Sequence, residues 1–256
     1  MKTVLLTNII LFSSFLICMS QQKHTTHVIA HRGAWKNTGV PENSIAALQH
    51  AVKLNCYGSE FDVHLSADSV PFILHNHSIQ GVHIEKTNAV DLKRIKLANG
   101  ESLPTLEEYL LAEKGQTKTR LILEIKSSSI SKERSLALTK KCVELVTQTG
   151  VTAITDYIAF DFDVCLQVKK LNPKAHVQYL SGDKTPEDLA TAGLDGFDYH
   201  FSVLKKNESW LAEAHKRRLS TNAWTVNDEE TMQWLMDQKI DMITTNEPEK
   251  LLKLIK

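Results

Sequence analysis

Eight short apolar runs, separated by stretches of helical periodicity, constrain this chain more than anything else in it. They lie at 27–31, 57–63, 120–125, 154–160, 175–180, 195–200, 219–225 and 240–244. Leu121–Ile122–Leu123 and Met242–Ile243 are apolar without a break, as strands buried on both faces are. Between the runs, apolar residues recur at helical spacing. Ile45, Leu48 and Val52 follow a cap at Asn43 or Ser44. Leu138, Cys142, Leu145 and Val146 end at Gly150, and Val164, Val168 and Leu171 end before Pro173. Pro186–Ala192, Leu211–His215, Met232–Met236 and Leu251–Ile255 repeat the pattern. Eight strands alternating with helices predict a (β/α)8 TIM barrel in one domain over 25–256. An open doubly wound sheet would carry a glycine-rich first turn, and Gly33 alone is not one.

One segment interrupts the rhythm. Between the second and third barrel strands, about 66–115 reads as an insertion. Val70–His75 predicts an extra strand after a turn at Ala67-Asp68-Ser69, and Asp91–Leu97 a short helix. Asn99-Gly100 predicts a turn, and Thr105–Lys114 a helix opened by a capping box of Thr105 and Glu108.

The start of the chain reads differently. Lys2 precedes a mostly apolar stretch, Val4–Met19, too short and too polar for a span of ~20 apolar residues. Residues 1–20 read as a secretory signal, which implies export to the periplasm or the medium; a lipid anchor through Cys18 is the rival reading. Cys56, Cys142 and Cys165 match no zinc or redox spacing and read as small buried hydrophobes. The 30 basic and 30 acidic residues balance, which gives no electrostatic case for nucleic acid. No basic amphipathic helix calls for a membrane surface.

The chemistry gathers where the strands end, as it does in barrels of this kind. His31 and Arg32 end the first, Glu60 and Asp62 the second, Glu124 and Lys126 the third, and Trp224 the seventh. Residues two apart on a strand share a side, so Glu60 pairs with Asp62 and Glu124 with Lys126. Three carboxylates at one mouth would repel one another unless a cation sat among them, and hard oxygen donors suit Ca2+ or Mg2+. Taken singly, His31 also fits a satisfied strand-end histidine, and Glu60 and Asp62 could anchor loops; the joint pattern points to a site. Phe160, Tyr179 and His200 stand at strand ends as candidate pocket walls, His64 as an extra neighbour of Asp62, and Trp210 and Trp234 as helix packing.

The motifs HRG (31–33), PEN (41–43), EFDVHLSAD (60–68), HN (75–76), LPTLEEYL (103–110), LEIK (123–126), AWTVND (223–228) and MITTNEP (242–248) occur in that order. As a set they resemble the glycerophosphodiester phosphodiesterase family over nearly the whole chain past residue 25. The resemblance implies a TIM barrel with an insertion after the second strand. It implies one divalent metal ion, Ca2+ or Mg2+, on Glu60, Asp62 and Glu124, and His31 and His75 as general acid and base. Arg32 and Lys126 would hold phosphate oxygens, Trp224 would line the pocket against glycerol, and Glu42 would orient the group. The implied reaction is hydrolysis of a glycerophosphodiester, a small molecule, to sn-glycerol 3-phosphate and an alcohol. Phospholipase D-like removal of lysophospholipid headgroups is a variant of it. Two positions depart from the family pattern: Asn76 and Asn246 stand where carboxylates are usual. They motivate a rival reading as a non-catalytic barrel that binds phospho-ligands. A second rival, an aldolase-like Schiff base on Lys126, leaves His31, Arg32, Glu60, Asp62 and His75 without roles.

Overall fold

The structure, a computed structural model, describes residues 24–256. The expected signal segment and Cys18 lie outside the described residues. The chain runs β1 (His27–Ala30), α1 (Ile45–Lys53), β2 (Gly58–Leu65), β3 (Pro71–Ile73), β4 (Ser78–Ile79), β5 (Val82–His83), α2 (Ala89–Leu92), α3 (Leu106–Ala112) and β6 (Arg120–Ile125). It continues with α4 (Lys132–Thr149), β7 (Thr155–Ala159), α5 (Phe162–Leu171), β8 (His176–Tyr179), α6 (Pro186–Thr191) and β9 (Gly196–His200). It ends with α7 (Phe201–Lys206), α8 (Trp210–Lys216), β10 (Ser220–Trp224), α9 (Glu229–Asp237), β11 (Met242–Thr245) and α10 (Pro248–Leu254).

Strands β1, β2 and β6 to β11 pair in parallel in that order, and β11 returns to β1, with Val28 opposite Ile243. The expected TIM barrel is therefore closed. Period-two alternation divides each strand between two cores. Phe61, Leu123, Tyr157, Phe197 and Ile243 point outward into the shell shared with Leu48, Cys142 and Val164 of the helices. A smaller cluster of Ile29, Ile122, Ile158, Leu180 and Met242 fills the barrel itself. Burying a side chain of this size is worth roughly 1.5–3 kcal/mol, so the shell carries most of the stability and the lumen less. Ser44, Thr185 and Asp228 cap α1, α6 and α9, and Gly150 closes α4 in a left-handed turn with φ 79°. Cys56, Cys142 and Cys165 are free and buried.

The insertion has its own small core of Phe72, Ile84, Leu92, Ile95 and Leu103. β3 extends the sheet antiparallel to β2, with Val63 opposite Ile73. The capping box of Thr105 and Glu108 is present. The helix expected over 91–97 is instead Ala89–Leu92. The Leu97 amide donates to Glu101 O at 2.8 Å and Lys96 bridges Ser102, so the turn at Gly100 pulls these residues into extended pairing. Two elements carry little sequence signal. The β4–β5 hairpin has only two residues per strand around Gln80-Gly81, and α7 begins directly at the end of β9.

Candidate active site at the barrel mouth

The HRG segment builds the first part of the site through its backbone. Arg32 and Gly33 are consecutive left-handed residues with φ 58° and 81°, so the chain reverses as it leaves β1. A Cβ on Gly33 would lie 2.6 Å from the Ala47 carbonyl carbon, so α1 can pack here only against glycine. The reversal aims the Arg32 amide at Glu60 Oε2, 2.8 Å away. The Arg32 guanidinium then reaches Glu42 at 2.9 Å and lies 3.7 Å from Asp62.

Asn43 is the residue that ties the PEN turn to the metal-type carboxylates. Its side-chain amide donates to Asp62 Oδ2 at 2.8 Å, and its Oδ1 accepts from the Asp62 amide at 3.2 Å. Glu42 meets the cluster through Arg32. The sequence assigns the orienting role to Glu42; the PEN motif itself is the available signal for Asn43.

Glu60, Asp62 and Glu124 each bring a carboxylate oxygen within 4.8 Å of the others, and all three are buried. Their union follows from register: Asp62 sits opposite Glu124 in the β2–β6 pairing, and both face inward. Lys126 is their counterion, 2.7 Å from Glu124 and 3.2 Å from Asp62. Glu60 Oε1 is buried without a partner among the described residues. Burial and the charges of Asp62 and Glu124 push the Glu60 carboxyl well above its ordinary range. Burial and Asp62 raise Glu124 to about 7. Asp62 is buried too, but Lys126, His75 and Asn43 hold it below the usual value. Burial opposes the charge on Lys126, yet Asp62 and Glu124 keep its ammonium above normal. That is the reverse of what a Schiff-base lysine needs. An orphaned carboxylate oxygen beside two more, all hard donors, fits a divalent cation.

The two histidines come from different elements. His31 ends β1, with Nε2 3.9 Å from Glu60 Oε2. His75 follows β3 in the insertion, and its carbonyl accepts from buried His64 Nε2 at 3.0 Å. In each case Nδ1 meets an amide oxygen: Asn246 Oδ1 at 2.7 Å from His31 and Asn76 Oδ1 at 3.0 Å from His75. Both departures from carboxylate therefore sit against a histidine. An amide oxygen only accepts, so Nδ1 carries the proton and Nε2 is left free toward the site. Burial, then the Arg32 charge, lowers His31 to about 4, with Asn246 pulling the other way. Burial also lowers His75, with Asp62 opposing.

A cavity of about 170 Å³ opens between these groups. Its far wall is Ile158, Phe160, Leu180 and Trp224. Phe160 and Trp224 meet edge to face at 5.4 Å. Tyr179 does not line it. Tyr179 alternates with inward Gln178, so it packs in the outer shell against Phe162 and Tyr199. His200 stands behind Trp224, with ring centroids 5.2 Å apart. Trp210 and Trp234 pack on the core as expected. Asp198, which the strand-end motifs do not single out, lines the cavity from β9. The inward parity between Phe197 and Tyr199 is the sequence signal for it.

The family model described as "Glycerophosphoryl diester phosphodiesterase family" matches residues 31–250. A crystal structure of a glycerophosphodiester phosphodiesterase from Parabacteroides distasonis is 41% identical, with TM-score 0.89, covering 91% of this chain and 98% of that one. A phosphodiesterase of Oleispira antarctica in complex with the product sn-glycerol-3-phosphate is 25% identical, with TM-score 0.77, covering 90% and 97%. The glycerophosphodiester phosphodiesterase of Caldanaerobacter subterraneus is 28% identical over 250 residues, 90% of this chain and 98% of that protein.

Proposed function

This chain belongs to the glycerophosphoryl diester phosphodiesterase family and hydrolyses glycerophosphodiesters, and from that premise we propose that it does so by metal-assisted catalysis with His31 and His75 as the acid–base pair. The observation that carries the reading is the convergence of Glu60, Asp62 and Glu124 on a mouth flanked by two histidines, each with Nδ1 bonded to an amide. Glu60, Asp62 and Glu124 would hold the cation, Ca2+ or Mg2+ by their chemistry, which would supply Lewis-acid stabilisation of the phosphoryl charge.

The chain's own residues do the rest. Arg32 and Lys126 present positive charge to the non-bridging phosphate oxygens, whose charge grows in the transition state. Glu42 keeps Arg32 extended across the mouth. One imidazole, neutral, takes the proton of the attacking hydroxyl at Nε2. The other, entering protonated, gives its Nε2 proton to the departing alkoxide. The attacking hydroxyl belongs to water or to the glycerol arm itself; the second route passes through a cyclic phosphate that water then opens. The positions of His31 and His75 support both, and the amides Asn246 and Asn76 hold each ring by Nδ1, which leaves Nε2 to take or give the proton. Trp224 closes the wall where an organic arm would rest.

A panel of glycerophosphodiesters, assayed after EDTA and again with Ca2+, Mg2+ or Mn2+ restored, tests this. Release of sn-glycerol 3-phosphate should vanish with chelation and return with one of the metals. Undiminished release in EDTA would defeat the metal role, and no release from any diester by folded protein would defeat the activity.

A further inference from the structure

The mouth has two unlike halves. β1, β2, β6 and the His75 loop bring charge; β7 to β10 bring the apolar wall of Ile158, Phe160, Leu180 and Trp224. A carboxyl interrupts that wall. Asp198 is 1% exposed, and its Oδ1 has no hydrogen-bond partner among the described residues. Phe197 and Tyr199 on either side stack together in the outer shell at 4.6 Å, so the strand's alternation leaves Asp198 facing the lumen. Asp198 is also not among the carboxylates that converge as a cation cluster. The Trp224 indole N–H donates to the Asp198 backbone carbonyl at 3.0 Å, which holds the indole against the strand that carries Asp198.

A buried carboxyl without a partner is costly unless a ligand completes it. A phosphate could be met only by its acid form, whereas a hydroxyl can be met by either form. The cavity, of about 170 Å³, is small, which suits a short polyol better than a bulky quaternary cation. We propose that Asp198 is a specificity-determining residue that hydrogen-bonds a hydroxyl of the substrate's glycerol arm, seated against Trp224, while the phosphate lies toward Arg32 and Lys126. This rests on the glycerophosphodiester reading above. The bond requires no fixed protonation state. A carboxylate accepts from the hydroxyl, and a carboxylic acid donates to it. The residue thereby separates glycerol diesters from phosphodiesters whose arm offers no hydroxyl at that depth.

Competitive inhibition by sn-glycerol 3-phosphate and by propyl phosphate, the same anion without the hydroxyls, tests the assignment. Wild-type protein should bind the glycerol compound more tightly. Asp198→Ala should weaken glycerol 3-phosphate by about 10- to 100-fold and leave propyl phosphate within about twofold, the range expected for a hydrogen bond involving a carboxyl group. Asp198→Asn keeps the shape and a hydrogen-bonding group and should retain most of the preference, which covers the case of an Ala variant that folds poorly. Equal weakening of both ligands, or of neither, overturns the proposal. So does a rise in the metal concentration needed for half activation, which would place Asp198 in the cation site. A loss confined to glycerophosphocholine, with glycerophosphoglycerol unaffected, would assign Asp198 to the cationic headgroup instead. Wild-type turnover separates the two readings. If wild type releases glycerol 3-phosphate but binds both phosphates equally, the Asp198 assignment fails and the activity stands. If it releases none, the activity itself fails.

Discussion

The two ends of the barrel lumen are both polar, and they handle charge in opposite ways. At the amino end, Arg120 grips Asp156 with two bonds of 2.5 and 2.6 Å. Beside them His176 meets Ser220 at 2.9 Å, and Asp241 is held by Thr221 and by His215 at 3.3 Å. At the carboxyl end, Lys126 is shared by Asp62 and Glu124, Arg32 lies 3.7 Å from Asp62, and Glu60 and Asp198 each keep an orphaned oxygen. Pairing at the amino end costs desolvation and returns it in geometry; crowding at the carboxyl end leaves an electrostatic deficit that a bound cation and substrate would fill. The amino end is therefore paired within the chain, and the carboxyl end is built for something that is not part of the chain.

That contrast can be broken from either side. The largest effect is expected from Glu60→Gln. Turnover should fall by about 10³-fold, the size seen when a group that stabilises transition-state charge is removed. Metal-free thermal stability should hold or rise, because one acid leaves a crowded cluster; a large drop in Tm would mean that the carboxyl end is structural after all. Arg120→Leu should do the reverse. It leaves Asp156 facing the lumen with His176, 3.6 Å away, in place of the arginine, at a cost of about 3 kcal/mol in urea unfolding, while kcat per folded molecule stays near wild type. A loss of activity without a loss of stability would erase the distinction between the ends.

The smallest effect refines the comparison. His31 is held at about 4 in the folded chain, against about 6.5 when exposed. As pH falls from about 6.5 toward 4, the unfolded chain takes up this proton and the native one does not, so His31 subtracts stability in that window and nothing above it. Asn246→Asp would place a carboxylate on Nδ1 and raise the native value. Acid unfolding should then begin at lower pH, while the acid limb of the kcat/KM profile moves up by about one unit. Unchanged profiles on both axes would remove Asn246 from any role in tuning His31.

Much of the site is legible in the amino-acid sequence. His31, Arg32, Glu60, Asp62, Glu124, Lys126 and Trp224 can be placed because each ends a strand and strand parity is local. Cys142 and the cap of α1, at Asn43 or Ser44 in the sequence and at Ser44 in the structure, are readable because helical spacing is local too. Asn43 is visible as part of PEN, but its bond to Asp62 spans a turn with φ 58° that no periodicity announces. Tyr179 is misplaced by a single residue of parity, the error to which a strand of four residues is most open.

The sequence by itself determined the alternation of strands and helices, the side of each strand on which chemistry falls, and the caps. These depend on spacings of two to four residues, which a linear pattern records. Only the tertiary structure decided which acids meet. The β2–β6 register sets Asp62 against Glu124, closure of β11 onto β1 brings Asn246 to His31, and the insertion, through His64, carries His75 across the mouth. Each is a contact between distant positions, set by barrel closure, which no local spacing encodes. Asp198 lies at the junction of the two: parity turned it inward, and the closed barrel left it facing the cavity without a partner for Oδ1 among the described residues.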